Sequence, residues 1–485
     1  MSGGGALGVA NATVPVHYGS EPAPFGLVNA DAWFTNPDGT IDTQAGSHPT
    51  ITVVWAPTSI GMGNGHERPS NGEARFLNVS VPPGFVGEPG AVPKCTRTEF
   101  DNSGQCRIDS QVGEDALSDT GTGITAILPV FNMVPPPGVA AEFAFTSTGG
   151  IHVFIDARIR SGGDYGITEH ANVPQRKIVF NSTTIWGVPG EHPAEGFGSE
   201  ESVAEREAKV GLKPLLSMPT ACGGPGREPG EIKVSVEQAG AWENESINGE
   251  PFNVPLHNNE DIPVGITGCE KLKHFQPFIK LAPDTSFSDT PAGLSTIVKV
   301  PQGLNPEGLA TPGLKETTVV LPEGVAINPG QATGLAACQS WQENIGGPEA
   351  EKETMDGPPS CPSASKVGTD EIATPLLPGR LKGNVYVLQS NPPNLQLLVA
   401  AEGEGVYLKL IGTVHLNEQT GQITTTFKGT PQDPGTPDAP LNEFVLNFSG
   451  GAQAALVTPQ YCGVYTATAD FTPWSTPLTA DALSE

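Results

Sequence analysis

Leu77-Asn-Val-Ser-Val-Pro-Pro-Gly-Phe-Val-Gly-Glu-Pro-Gly90 returns 240 residues later as Thr317-Thr-Val-Val-Leu-Pro-Glu-Gly-Val-Ala-Ile-Asn-Pro-Gly330. Both stretches open on a strand-like run, meet a proline that removes a ladder donor, and turn on glycine. Pro82, Gly84, Pro89 and Gly90 stand opposite Pro322, Gly324, Pro329 and Gly330. Each copy then reaches a cysteine (Cys95 or Cys338), a second cysteine (Cys106 or Cys361), and a Val-Gly pair, Val112-Gly113 or Val367-Gly368. At that same offset of 255, Val130-Phe-Asn-Met133 aligns with Val385-Tyr-Val-Leu388, and Pro137 with Pro392. Each copy closes on an apolar run, a proline, two residues and Cys-Gly, at Pro219 to Gly223 and Pro459 to Gly463. At the entries, Ala45-Gly46 is matched to Ala292-Gly293. Matches in a conserved order along the chain identify an internal duplication.

Around this repeat, strand signals recur at Thr50–Trp55, Leu77–Val81, Ile151–Ile155, Glu231–Val236, Thr296–Val300, Thr318–Leu321 and Gln422–Phe427. They are β-branched or alternating runs bounded by Gly, Pro, Asn or Asp. The fold class read from them is all-β: tandem β-sandwich domains, immunoglobulin-like or jelly-roll-like, with one or two short helices. The helices are expected at Ser202–Val210, where Ser202 and Glu205 have capping-box spacing, and near Ala332–Glu343, where Leu335 and Trp341 would pack on a sandwich edge. The expected organisation is an extended lead-in over 1–44, sandwich one over 45–211 with an acidic helical insert at 189–212, and a small disulfide-linked domain over 212–283. Sandwich two follows over 284–454, and 455–485 begins a further small domain. The last of these predicts that the natural polypeptide continues past Glu485.

Glycine and proline account for 60 and 48 of the 485 residues, just short of a low-complexity composition, while 37% are apolar and 16% charged. A net charge of −28 excludes a phosphate-coating surface, so no nucleic-acid partner is expected. No run of 18 apolar residues occurs, so no transmembrane helix is expected. The N-terminus shows no basic, apolar leader and opens on Ser2-Gly-Gly-Gly5.

None of the seven cysteines forms a CxxC pair, which removes zinc-ribbon and thioredoxin readings. Separated cysteines in a turn-rich chain suit structural disulfides in an oxidising compartment, hence an extracellular or cell-surface location. The repeat pairs Cys95 with Cys106, Cys338 with Cys361 and Cys222 with Cys269, leaving Cys462 unpaired; a Cys222–Cys462 bridge is the chief rival. Seven buried thiols in a cytosolic protein are the bland alternative.

The Ala-Gly-Ser-His-Pro run at 45–49, the Pro-Pro-Gly and Pro-Glu-Gly turns, Cys-Pro-Ser-Ala-Ser-Lys-Val-Gly at 361–368 and Thr-Pro-Gln-Tyr-Cys-Gly at 458–463 carry a resemblance. The layout resembles large secreted or surface-displayed bacterial proteins built of tandem β-sandwich repeats, over most of the chain beyond residue 44. No catalytic residue is implied by it.

Motifs for chemistry are sparse. Among the nine histidines none stands two or four residues from another, and no GxSxG elbow, phosphate loop or strand-linked GxGxxG occurs. His152 reads as a satisfied strand histidine. Glu402 and Glu404, flanking Gly403, are the carboxylates weighed for glycan hydrolysis, with a solvated strand face as the alternative. Asn36-Pro-Asp-Gly-Thr-Ile-Asp42 has calcium-type donors without an EF-hand register, so calcium is the one ion weighed and no other cofactor is expected. Trp55 and Trp242 read as core, and Trp186 as the best exposed contact. The leading functional expectation is a non-enzymatic extracellular structural or adhesive repeat protein. Its partners would be copies of itself or extracellular ligands, and Thr13–His17 could add to a neighbour's sheet. The alternatives are a glycan-binding or glycan-hydrolysing protein on a sandwich scaffold, and a cytosolic or capsid-like β protein.

Overall fold

The computed structural model describes residues 25–61, 67–69, 72–119, 126–161, 164–173, 178–196, 199–222, 231–238, 251–256, 263–272, 275–303, 308–332, 334–345, 357–391, 395–429, 435–475 and 482–484. Trp242, His17, His66, His257, His274 and the Thr13–His17 run lie outside them.

Two eleven-stranded antiparallel sheets dominate. The first takes, in chain order, β1 (Leu27–Thr35), β2 (Thr50–Pro57), β3 (Ala74–Ser80), β4 (Gln111–Ser118), β5 (Ala126–Met133) and β6 (Ala141–Ser147). It continues with β7 (Ile151–Ile159), β8 (Ile167–Asn172), β9 (Phe180–Ile185), β10 (Glu231–Gln238) and β11 (Phe252–Pro255). The second takes β12 (Phe278–Pro283), β13 (Leu294–Lys299), β14 (Leu314–Val320), β15 (Lys366–Ala373), β16 (Leu381–Leu388) and β17 (Leu395–Gly403). Then come β18 (Val406–Leu416), β19 (Ile423–Phe427), β20 (Glu443–Phe448), β21 (Thr468–Pro473) and β22 (Ala482–Ser484). The spatial order is β1-β2-β9-β4-β5-β6-β7-β8-β3-β10-β11 in one and β12-β13-β20-β15-β16-β17-β18-β19-β14-β21-β22 in the other. Every strand of the first sheet has its counterpart at the same place in the second, so the duplication is of a whole sheet.

Each sheet curls into a sandwich-like barrel, because one face is apolar and must be buried. In β2, Ile51, Val53 and Trp55 point inward, and β1 comes round to meet β10 and β11. In the second barrel Ile279 of β12 and Phe471 of β21 share one apolar cluster. The all-β reading with few helices describes the protein.

Local chemistry explains the paired landmarks. Pro82 and Pro322 lie just past β3 and β14, and each begins a turn closed by a bond to its carbonyl, from Phe85 N–H and Val325 N–H, both at 3.2 Å. The third turn residue is Gly84 (φ 88°) or Gly324 (φ 87°), in the left-handed region that a type II turn requires. The Val-Gly pairs sit at β-bulges, where the register shifts between Gln111 and Gly113 and between Lys366 and Gly368. A Cβ on Gly113 would stand 2.0 Å from the Thr184 carbonyl oxygen, and one on Gly368 2.3 Å from that of Asn447, so no side chain fits.

The segment expected as a lead-in supplies β1, whose residues from Asn29 to Thr35 pair with Ala56 to Thr50. The region expected as a separate small domain supplies β10 and β11, which complete the first sheet by pairing onto β3 (Lys233 opposite Ser80), and β12, which opens the second. The free edge of β3 has to be laddered, and this segment ladders it. The entry match also moves. Met218 N–H donates to Ser47 O and Thr458 N–H to Thr290 O, so Ser47 corresponds to Thr290 and Ala45-Gly46 to Ser288-Asp289.

Among the described residues three short α-helices interrupt the β pattern. The insert carries α2 (Val203–Val210), following α1 (Arg97–Ser103) in the chain; Ser202 and Glu205 form the capping box of α2. The Arg206 side chain is fully buried and donates to the carbonyls of Ile108, Gln111 and Pro189, fixing the insert to the barrel. Helix α1, between Cys95 and Cys106, was not expected, although Thr96 and Glu99 carry the same box and Gly104 (φ 68°) ends it. Near Ala332–Glu343 only Ser340–Glu343 is α-helical, and Trp341 is 76% exposed rather than packed on an edge. Among the described residues no helix is long and apolar enough to cross a membrane.

Substituting Gly113→Ala or Gly368→Ala is expected to cost about 3 kcal/mol by forcing a β-bulge apart. Gly90→Ala, whose Cβ meets nothing within 4 Å, should stay within about 0.5 kcal/mol of the parent. Urea denaturation of the three variants checks this, and equal losses would contradict it.

Candidate functional site

Cys95 is bonded to Cys106, Cys222 to Cys269 and Cys338 to Cys361, while Cys462 is free and exposed. The first and third bridges are structural equivalents. Cys95 N–H donates to Asn132 O and its carbonyl accepts from Val134 N–H; Cys338 does the same with Val387 and Gln389, all four at 2.8 Å. Each bridge thereby fastens a loop to the end of β5 or β16.

The junction between the barrels is built from the hairpin joining β7 and β8. Strand β18 runs past the end of β19, whose last pair is Phe427 with Gly412, so the ladder on that side stops short of Lys409. The Tyr165 hydroxyl fills the gap, donating to Lys409 O at 2.8 Å and accepting from Lys409 N–H at 3.1 Å. Tyr407 N–H donates to Ser161 Oγ at 3.2 Å. Tyr165 holds φ 54°, unusual for a bulky residue, and the matching position in the β18–β19 hairpin is Gly421 at φ 71°. The register fixes that match, since Ile167 and Ile423 follow two residues later at equivalent places opposite Val81 and Leu321. A tyrosine in a glycine conformation is thus held by the contact it makes across the junction.

A second contact lies beside the Cys222–Cys269 bridge. The Asp438 carboxylate accepts from Thr220 N–H at 2.7 Å, Ala221 N–H at 2.8 Å and the Thr220 hydroxyl, which itself accepts from Gly313 N–H at 2.9 Å. Ala310 N–H donates to Gly46 O at 2.7 Å. The equivalent of this face in the second barrel, Pro459 to Tyr465, is open. Tyr461 is 78% exposed and Val464 fully so, and Phe287 (75% exposed) accepts at its carbonyl from the Thr458 hydroxyl on the same segment. Tyr461 and Val464 flank the exposed Cys462 along the chain, a run of exposed apolar and aromatic residues.

The other candidate residues fall apart from one another. Trp186, expected as an exposed contact, is 4% exposed and stacks on His192 with rings 4.9 Å apart and 3° from parallel. Burial and nearby Arg206 push His192 down to about 4. Trp55 is core, donating from Nε1 to Asn181 Oδ1. His152 lies 3.3 Å from Asp101 at the surface of α1. Glu402 and Glu404 are exposed on one hairpin, at and just after the end of β17, and do not face each other across a cleft. In the calcium-type loop, Asp38 accepts from Thr40 N–H and the Thr40 hydroxyl, and Asp42 from Gln44 N–H, so both cap turns. Among the described residues no three His, Cys, Asp or Glu side chains converge on a metal position.

A pair that composition hides is Asp115 on β4 and Asp370 on β15, equivalent positions two residues past each bulge glycine and both buried. Asp115 accepts from Asn181 Nδ2 and the Thr183 hydroxyl. Opposite Asp370 those places are Phe444 and Leu446, and neither carboxyl oxygen of Asp370 has a hydrogen-bond partner among the described residues. Burial pushes Asp115 up to about 6, and burial with neighbouring Glu371 pushes Asp370 up to about 7.

Both folded values lie above the unfolded one, so the folded state holds more protons and stability falls as pH rises from about 4 to about 7. Asp370→Leu should flatten that slope and raise stability at pH 8 by about 2 kcal/mol, read from denaturation at pH 5 and pH 8. Tyr165→Phe, which strands the Lys409 peptide, should cost about 2 kcal/mol and split a single calorimetric transition into two. A single unshifted transition would show the junction hydroxyl to be idle.

No family model and no curated protein matches the sequence. Among solved structures, the C-terminal domain of the Streptococcus agalactiae antigen I/II polypeptide BspA aligns over 94% of this chain and 98% of its own, at 8% identity and a TM-score of 0.20. A second structure of that BspA domain gives the same figures. Likeness at that level carries neither fold nor function across.

Proposed function

We propose that the chain is a non-enzymatic, extracellular or cell-surface structural or adhesive repeat protein. The observation that carries this reading is the repetition of one cross-linked eleven-stranded sheet, with the two copies joined through main-chain contacts at Lys409 and Thr220. Such a junction resists bending, so the chain acts as a stiff spacer. The three disulfides suit an oxidising compartment, and the acidic surface suits solubility there. The open patch of Phe287, Tyr461 and Val464 is the contact face, and its partner is another copy or an extracellular ligand.

The full chain should self-associate in light scattering or bind saturably to immobilised extracellular-matrix protein. The triple variant Phe287→Ser, Tyr461→Ser, Val464→Ser should lose that association by roughly tenfold or more while keeping its melting temperature. Release of sugars from a polysaccharide panel would replace this reading with the glycan-hydrolysing one, and absence of both association and binding would remove the adhesive and filament readings.

A further inference from the structure

A cavity of about 310 Å³ occupies the second barrel and runs into the junction with the first. Leu397, Leu410 and Phe427 line it from the second barrel, and Phe143, Ile159 and Tyr165 from the first. A smaller cavity of about 50 Å³ lies in the first barrel, which has the same strand order. Native interiors are packed to crystal density, so a void of this size is a feature the fold maintains against a cost. A dry apolar cavity of about 150 Å³ suffices to hold benzene, so this one has room for a chain of roughly eight to ten carbons.

One carboxyl group faces this space. Strand β8 alternates: Ile167 and Ala171 point into the first barrel's apolar interior, while Thr168 and His170 point out to Ser80 and Asn78. Glu169 therefore points inward, and it lines both the large cavity and the small one. It accepts no hydrogen bond and makes no ion pair with the described residues, unlike Asp115 across the small cavity, which Asn181 and Thr183 satisfy. The equivalent position on β19 is Thr425, since Ala171 and Phe427 face Leu77 and Thr317 at matching places. Burial pushes the Glu169 carboxyl up to about 7. An apolar chamber ending in a single unpartnered acid is shaped for a molecule with a tail and one donating head.

We propose that this cavity binds a single-chain amphiphile whose head group donates to Glu169, a linear primary amine being the matching class. The tail fills the second barrel between Leu410 and Phe427, and the head reaches the carboxyl at the end of the first. An ammonium head supplies the counter-charge that the barrel itself withholds. This site is independent of the exposed patch and of any adhesive role.

The test is displacement of a fluorescent apolar dye from the full chain by decylamine and by decanoic acid, at pH 7.5. Decylamine should displace the dye at concentrations at least roughly tenfold lower than decanoic acid. Glu169→Gln keeps the side chain's shape and removes its charge; it should erase the preference while the dye still binds. Leu410→Trp, which fills the chamber, should abolish dye binding with the melting profile retained. Failure of the parent chain to bind dye or decylamine overturns the proposal, and so does a preference for decylamine that survives Glu169→Gln. If Leu410→Trp does not fold, the Glu169→Gln comparison alone decides.

Discussion

A β-strand that outruns its neighbour leaves peptide groups with no ladder, and a buried peptide group without a partner is costly. The junction of this protein is organised by that shortage. Strand β18 extends past β19, and the peptide groups of Lys409 are satisfied by the hydroxyl of a tyrosine from the other barrel. Tyr165 must hold φ 54° to reach it, and glycine holds the same place in the second copy, where the hairpin residues Asn417 to Thr420 are exposed and meet no barrel. One acceptor and one donor on a single residue make the first fixed point between the two barrels. Asp438 at Thr220 supplies the second fixed point, so rotation about the first contact is closed off.

Features that rest on a local steric rule were legible in the sequence. The Pro-x-Gly turns require a left-handed glycine, the Val-Gly bulges require an absent Cβ, and the cysteines keep equivalent places in each copy; each leaves a fixed letter behind. Elements defined by a partner elsewhere in the chain were not legible. Strand β1 reads Leu-Val-Asn-Ala-Asp-Ala-Trp-Phe-Thr, and its buried residues include Ala30 and Ala32, too small to make alternation visible. Strands β10 and β11 look like a separate unit because Cys222 and Cys269 bracket them, yet their hydrogen bonds go to β3. The entry match at Ala292-Gly293 was a coincidence of common residues, four positions away from the register that hydrogen bonds establish.

The candidate site was less legible than the fold. Trp186 looked exposed because Gly187 and Pro189 follow it, but His192 folds back to cover its ring. Glu169 gave no signal, since an acid within an alternating strand reads as the outward-facing residue. Only the pairing of β8 with β3 and β7 shows that its side is the inner one. Asp370 was hidden in the same way: it matches Asp115 in position, but the residues that make the match matter, Asn181 and Thr183 against Phe444 and Leu446, are far along the chain.

The two copies have therefore diverged most where a single-copy protein would be least free to change. The first barrel keeps its buried aspartate hydrogen-bonded by Asn181 and Thr183 beside the smaller cavity. The second holds an unpartnered aspartate and an open apolar chamber, both destabilising. A barrel carrying both defects is supported by the tyrosine staple from the first barrel, by its own Asp438 on Thr220 and by its own disulfide. A buried aspartate satisfied in one copy and unpartnered among the described residues of the other marks a place where the two copies no longer share a constraint. A neutral defect of either kind is relieved by one substitution to leucine or phenylalanine, residues the second barrel already places beside it.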